Sequence, residues 1–346
     1  MNKTIFILQK IHPDLLQIMM KRHGILRYIR LLQPVGRRVL ASYLKTTERI
    51  LRGEVELLKE QNLILIEPVG MSLTGEGNRI LQELDLIIRD FAEQSPLEKH
   101  VKELFQLDDV FIIPGNSDVD ELVKKEMGRI VAQKLNKSVQ SGDIVAVTGG
   151  TSIAMVAEMM QTSQLYKDVW FVPARGGLGE KMEFQANTLA SIMAAKTGGS
   201  YRLLHVPDRL SETSYQSLVM EPEVQEILHL IKSSKVIVHG IGEALKMAKK
   251  RQADEEVIKL LKERKAVGEA FGYYFNLQGE ITYKMPTIGL RMEDVKNAET
   301  VIAVAGGSSK AEAIYSVIQQ NLRHILVTDQ AAAEALVQLH QNINAR

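Results

Sequence analysis

The chain has 346 residues with 43 Lys or Arg against 42 Asp or Glu, 45% hydrophobic and 25% charged residues, and no cysteine. That length points to two domains and that composition to a globular chain, with disulfides and thiolate metal sites excluded. No stretch reaches the roughly 20 apolar residues that a membrane span needs, and the short apolar patch at residues 5–8 is followed by no signal-cleavage site, so a cytoplasmic protein is expected.

The near-zero net charge conceals a split. Residues 1–66 hold twelve Lys or Arg and five Asp or Glu, a net of +7, while the other 280 residues hold 31 and 37, a net of −6. A one-sided positive field suits a nucleic-acid reader. Within this basic head, Leu15, Leu16, Ile18, Met19, Ile25, Leu26, Ile29 and Leu32 recur at helical spacing, with Gly24 a candidate bend. Gln33-Pro34-Val35-Gly36 ends that helix. A two-turn helix over 37–44 follows, with Val39, Leu40 and Leu44 inward. Lys45-Thr46 makes a tight connection, and Thr46 or Thr47 caps a third helix reaching residue 61. Leu51, Val55 and Leu58 form its inward stripe, widened by Ile50 and Leu57; Arg49, Arg52, Gly53, Glu56 and Glu60 share the opposite face. The apolar runs 63–66 and 71–73, joined by Glu67-Pro68-Val69-Gly70, read as a hairpin. Three helices and a hairpin make residues 1–74 a winged helix-turn-helix, whose third helix enters the DNA major groove. The DNA-binding candidates are Arg49 and Arg52 on that helix, Thr47 at its cap, and Arg37, Arg38 and Lys45 as phosphate-positioning groups. A winged helix that binds protein instead is the main competitor.

Residues 75–107 read as a helical linker. Ile80, Leu81, Leu84, Ile87, Ile88 and Phe91 give one helical stripe, Ser95-Pro96 interrupts it, and 97–107 continues. Two such segments would pair winged helices on a palindromic site; alternatively they pack as intradomain helices.

From residue 108 to 346, short β-branched runs (110–113, 144–147, 170–172, 203–206, 236–238, 301–304, 325–327) alternate with helical patterns (119–137, 153–160, 185–196, 224–232, 310–319, 331–340). This predicts an α/β, doubly wound, Rossmann-like domain with a parallel sheet, and ligands beyond the carboxyl ends of its strands. Two of those ends share one design. Thr148-Gly149-Gly150-Thr151-Ser152 and Ala305-Gly306-Gly307-Ser308-Ser309-Lys310 each put two glycines and two hydroxyls between a strand and a helix. Glycines let backbone approach an anion closely, hydroxyls donate, and the helix N–H groups point at it. Neither loop has the spacing of a nucleotide-binding motif, so a small anion with two charged ends is expected. Arg175, in Val172-Pro173-Ala174-Arg175-Gly176-Gly177-Leu178-Gly179, is placed to clamp phosphate or to form a salt bridge. His239 and Glu243 follow another strand and are either acid–base groups or structural residues. Lys249-Lys250-Arg251 is either a phosphate contact or a surface basic run. No metal-ligand spacing and no nucleophile elbow is present.

The segment Thr47-Glu-Arg-Ile-Leu-Arg-Gly-Glu-Val-Glu-Leu-Leu-Lys-Glu60 and five body motifs closely resemble the SorC family of sugar-sensing bacterial transcription factors. The body motifs are Val147-Thr-Gly-Gly-Thr151, Val172-Pro-Ala-Arg-Gly-Gly177, Val238-His-Gly-Ile-Gly-Glu243, Glu269-Ala-Phe-Gly-Tyr-Tyr-Phe275 and Ala303-Val-Ala-Gly-Gly-Ser-Ser-Lys310. The resemblance covers nearly the whole chain. It implies a repressor of an operon for lower glycolytic enzymes that binds operator DNA as a homo-oligomer, a dimer or a tetramer on DNA, with fructose 1,6-bisphosphate as inducer. It also implies an effector domain similar to sugar-phosphate isomerases and deaminases, without catalysis and without a cofactor. Gly149, Gly150, Thr151 and Ser152 with Arg175, and Ser308, Ser309 and Lys310, would hold the phosphates; Gln185 and Glu269 would bind sugar hydroxyls; Lys250 would add a contact. Ser152 stands where a second Thr is expected, and Lys250 where an Arg is. The rivals are an isomerase or deaminase using Glu243, Glu269 and His239, and a SorC-type regulator answering to another phosphorylated sugar.

Overall fold

The computed structural model describes residues 14–91, 95–177, 181–207, 210–320 and 324–345. The apolar patch at 5–8, Leu178-Gly179 and the side chains of Ile87, Ile88 and Phe91 lie outside what is described. The chain divides into two units, Met1–Ser95 and Pro96–Arg346.

In the first unit α1 (Leu15–Leu32) runs straight through Gly24, followed by α2 (Arg37–Tyr43) and α3 (Glu48–Glu60). Thr47 caps α3, its hydroxyl accepting the Ile50 N–H at 3.4 Å. β1 (Ile64–Glu67) and β2 (Gly70–Leu73) form the antiparallel hairpin, and Val35 adds a rung by pairing with Met71. α4 (Gly75–Phe91) starts at Thr74, whose hydroxyl accepts the Gly77 N–H at 2.8 Å. Ile25, Leu26, Ile29, Leu40, Leu51, Val55, Leu58, Ile64, Met71 and Leu81 close one core. Two residues expected inward are not: Val39 is 50% and Ile50 53% exposed. Each lies one residue, about 100°, from the buried Leu40 or Leu51, outside a stripe already filled. Asp85 ties α4 to α1, accepting from Arg30 at 3.4 Å and lying 2.6 Å from His23 Nε2.

The second unit begins with α5 (Pro96–Phe105), which buries Val101 in the body core and whose Glu98 carboxylate accepts the Ile112 N–H at 2.8 Å. Segment 75–107 is therefore shared out: α4 completes the head's core through Leu81, and α5 belongs to the body. The chain continues as β3 (Asp109–Ile113), α6 (Glu121–Ser138), β4 (Ile144–Val147), α7 (Thr151–Met159), β5 (Trp170–Pro173), α8 (Ala186–Thr197), β6 (Ser200–Tyr201), α9 (Glu212–Val219), α10 (Pro222–Lys232) and β7 (Val236–Gly240). It then leaves the main sheet for β8 (Gly242–Glu243), α11 (Ala244–Lys250), α12 (Glu255–Glu263), β9 (Ala266–Ala270), β10 (Tyr273–Asn276), β11 (Ile281–Lys284) and α13 (Met292–Asn297). It returns as β12 (Thr300–Val304), α14 (Ala311–Ile318), β13 (His324–Asp329) and α15 (Gln330–Asn344).

The main sheet is parallel throughout, in the order β3-β13-β12-β7-β4-β5-β6. Its inner strands are buried on both faces, so along β7 Val236 and Val238 join one core while Ile237 joins the other. The first face is covered by α6, α7 and α8, the second by α5, α10, α14 and α15. The strand expected at 203–206 is absent, and the edge is Ser200–Tyr201. Asn187, on α8, bonds the Leu204 N–H and carbonyl at 3.0 Å each, so a helix side chain supplies what a strand neighbour would have. The antiparallel sheet β11-β10-β9-β8 is an addition that the strand pattern did not announce. β4, β5 and β6 step outward one way while β7, β12 and β13 step the other. The loops after β4 and β7 thus flank the topological switch point, where α/β sheets bind ligands.

Candidate effector site

At that switch point the loops after β4 and β7 open a cleft of ≈ 260 Å³. The Thr148 N–H donates to the Val238 carbonyl at 3.0 Å and the Thr148 hydroxyl accepts the Gly240 N–H at 3.1 Å, so the two loops are stitched together. Gly150, at φ +120°, donates its N–H to the Phe184 carbonyl at 2.8 Å, and a Cβ on Gly149 would lie 2.5 Å from that same oxygen. The pair thereby turns the chain tightly into α7, whose positive N-terminal end, with Thr151 and Ser152, lines the cleft.

Cations converge on this end from three other segments. Arg175 follows β5, Lys246 and Lys250 lie on α11, and Lys310 follows β12; all four line the cleft. Burial pulls the Lys310 ammonium below the usual lysine range; Lys124 and Lys246 add to this, while Glu243 and Asp118 oppose it. Lys246 is exposed and paired with Glu243. It was missed from sequence, although Lys246 and Lys250 sit one helical turn apart on one face.

Glu269 on β9 is the centre of a buried charge cluster. Its Oε1 accepts from Arg251 at 2.8 Å, from the Gly272 N–H at 2.8 Å and from Arg175 at 3.4 Å. Arg251, read from sequence as part of a phosphate-contacting or surface basic run, further donates to the Tyr274 hydroxyl at 3.3 Å. Of the basic run, Lys250 reaches the cleft and Arg251 turns into the core.

The second glycine loop differs from expectation. The Gly307 N–H donates to the buried Asp329 carboxylate at 2.6 Å, and that carboxylate also takes the Ser117 and Ala332 N–H groups, both at 2.8 Å. Asp118 accepts from the Ser309 N–H at 3.0 Å, the Ser309 hydroxyl at 2.9 Å and the Ser308 hydroxyl at 3.4 Å. A Cβ on Gly306 would lie 2.6 Å from Asp329, and one on Gly307 2.1 Å from Asp118. Both glycines make room for the protein's own carboxylates. Ser308 and Ser309 accordingly do not line the cleft, whereas Lys310 does. Gln185 is also outside the lining, at the start of α8. His239 is fully buried against Phe271, outside the cleft, and burial pushes it down to about 4. A permanently neutral, enclosed imidazole has no reach to a substrate proton, so the acid–base reading of His239 falls.

In the first unit Arg38, Lys45, Thr47, Arg49 and Arg52 are exposed, and half-buried Arg37 lies 3.9 Å from Glu56. No helix among the described residues is long and apolar enough to cross a membrane.

Comparison with known proteins matches the same division. Residues 18–88 match the CggR N-terminal DNA binding domain family and residues 89–338 the sugar-binding domain family. The chain is 50% identical to the central glycolytic genes regulator of Priestia megaterium and 48% identical to that of Bacillus subtilis, each over 97% of this chain and 99% of the relative. Among solved structures, a SorC family transcriptional regulator from Enterococcus faecalis is 40% identical, with TM-score 0.66, over 70% of this chain and 99% of that one. The full-length sorbitol operon regulator SorC of Klebsiella pneumoniae shares the fold, with TM-score 0.67 at 19% identity over 88% of this chain and 94% of that one. These relatives are regulators rather than enzymes, and the chain belongs to the SorC family of transcriptional regulators, a DNA-binding domain joined to a sugar-binding domain.

Proposed function

We propose that this chain represses a glycolytic operon and that fructose 1,6-bisphosphate, acting as effector rather than cofactor, binds the cleft between the β4 and β7 loops and weakens operator binding. The observation carrying this reading is the convergence of Arg175, Lys246, Lys250 and Lys310 on the glycine-built N-terminus of α7. Set against Glu243 and Glu269 in the same lining, the four cations leave an excess of two positive charges at one helix end, which suits a ligand with more than one negative charge. The half-identical relatives named for central glycolytic genes favour the bisphosphate. In this reading one phosphate takes the Gly149, Gly150, Thr151 and Ser152 loop, Lys310 and Lys250 serve the other end, and Glu269 faces the sugar. The head, as part of a homodimer, lays α3 into the major groove, with Arg49 and Arg52 toward bases and Arg37, Arg38 and Lys45 toward phosphates. The sugar acts by linkage: it binds better to the conformation that holds DNA less well.

A gel-shift titration on the DNA upstream of the chain's own operon, at fixed salt, tests this. The expected result is a retarded specific complex that fructose 1,6-bisphosphate dissociates. Binding no better than to random DNA refutes the repressor; specific binding indifferent to the bisphosphate refutes the inducer.

A further inference from the structure

We propose that Asp118 is a resident anion in the second glycine loop, which the distal phosphate of the ligand must displace, making it the residue that tunes discrimination between doubly and singly charged sugars. This rests on the sugar-phosphate reading of the cleft above. Three donors converge on the Asp118 carboxylate: the Ser309 N–H and hydroxyl, and the Ser308 hydroxyl. One backbone amide and two hydroxyls on a single anion is the arrangement that a glycine–serine loop offers to phosphate. The donors hold the Asp118 carboxyl below the usual range even though burial, the largest influence, pushes it upward. The loop is thus an anion receptor already filled from within.

The two carboxylates at this loop are not equivalent. Asp329 is fully buried at the start of α15 and fixed by three N–H groups. Asp118 is exposed, in the loop between β3 and α6, so it has solvent to move into. Lys310 follows the two serines directly and lines the cleft. The charge of Asp118 is felt at both Lys310 and Lys246, so it opposes an incoming anion from close range. The spacing agrees. β12 and β4 lie on either side of β7, so the loops that follow them are two strand spacings apart, roughly 10 Å. A ligand anchored at the β4 loop brings only a second anionic group at its far end within reach of the β12 loop. A monophosphate never meets Asp118 directly, whereas a bisphosphate competes with it.

Titration calorimetry on the full chain with fructose 1,6-bisphosphate and with fructose 6-phosphate separates the possibilities. Asp118→Asn removes the charge and keeps an acceptor for Ser309. It should tighten the bisphosphate at least tenfold and change the monophosphate less than twofold. Asp118→Ser repeats the test with a shorter acceptor if the amide perturbs folding, checked by circular dichroism. Asp118→Glu, charge retained, should keep the wild-type preference. Equal tightening of both sugars overturns the proposal, because Asp118 would then act only as a distant charge. No tightening of the bisphosphate in either neutral variant overturns it as well. A wild-type chain that binds neither sugar phosphate refutes the underlying effector assignment instead.

Discussion

At Lys310, burial and ligand recognition pull in opposite directions. The unfolded chain holds the lysine proton up to the ordinary value of 10.5, while the folded chain, with the ammonium enclosed, sheds it earlier. The charged form therefore costs stability at neutral pH, and that cost disappears as pH rises through the lowered value toward 10.5. An anion in the cleft reverses the preference by favouring the ammonium. Lys310→Met keeps most of the stem without the charge. We expect its melting temperature at neutral pH to equal or exceed that of the wild type, while affinity for a sugar phosphate falls at least about tenfold, about 1.4 kcal/mol. The wild type should close any gap in melting temperature as pH rises toward 10.5. Thermal melts and calorimetric titrations on the same preparations check both; a joint loss of stability and binding would make Lys310 structural. Arg175 is a poorer probe of the same cleft. It helps to compensate buried Glu269, so its removal mixes lost binding with the cost of weakening a buried charge cluster.

Among the elements, α3 carries a glycine that the unit itself does not need. Gly53 is exposed in mid-helix, and a Cβ there would meet nothing within 4 Å. Glycine costs a helix interior about 0.5–1 kcal/mol relative to alanine, and Gly53 shares its face with Arg49 and Arg52. On the proposed reading, in which this face of α3 enters the major groove, a bare backbone there allows close approach to DNA. Gly53→Ala should raise the melting temperature of the head, by about 4–8 °C per kcal/mol gained in a domain of this size, and weaken specific operator binding. Paired thermal melts and gel shifts read the two effects, and unchanged DNA binding would mean that α3 meets DNA by another face. The head was legible in sequence because its stripes are long enough to fix a face, and most of the parallel strands because they are short apolar runs closed by a glycine turn, although β13 lacks that turn and the edge strand lies at Ser200–Tyr201 rather than at 203–206. Gly149, Gly150, Thr151, Ser152, Arg175 and Lys310 come together for a reason sequence can show: all follow strands of one sheet. What sequence could not show is which loop already has an occupant. Ser308 and Ser309 have the composition of a phosphate loop, yet the carboxylate that fills it lies 190 residues away from Ser308. The β8–β11 sheet escaped because β8 is only two residues long and β9, Ala266-Val267-Gly268-Glu269-Ala270, lacks the continuous β-branched run that marks the strands of the main sheet.

For the whole molecule, two separately cored units must still behave as one regulator. Ile29, Leu40 and Val55 belong to the head's core, and the two faces of the parallel sheet belong to the body's. Every residue found to line the β4–β7 cleft belongs to the body, and a ligand there, at one hundred times its dissociation constant, stabilises that unit by about 2.7 kcal/mol. Calorimetry of the free chain should therefore show the bisphosphate raising the body's transition more than the head's. Regulation requires in addition a coupling free energy, and coupling is reciprocal. If saturating fructose 1,6-bisphosphate lowers operator affinity tenfold, saturating operator DNA must lower affinity for the sugar tenfold, both about 1.4 kcal/mol. The two measurements have to share one salt concentration, because each phosphate contact of the +7 head contributes a slope of about −0.9 in log K against log salt. Titrating the sugar into the chain with and without operator duplex, beside gel shifts with and without the sugar, closes the cycle. Matching factors above one establish that this sugar regulates operator binding; a factor of one in both directions refutes regulation by this sugar, however tightly it binds.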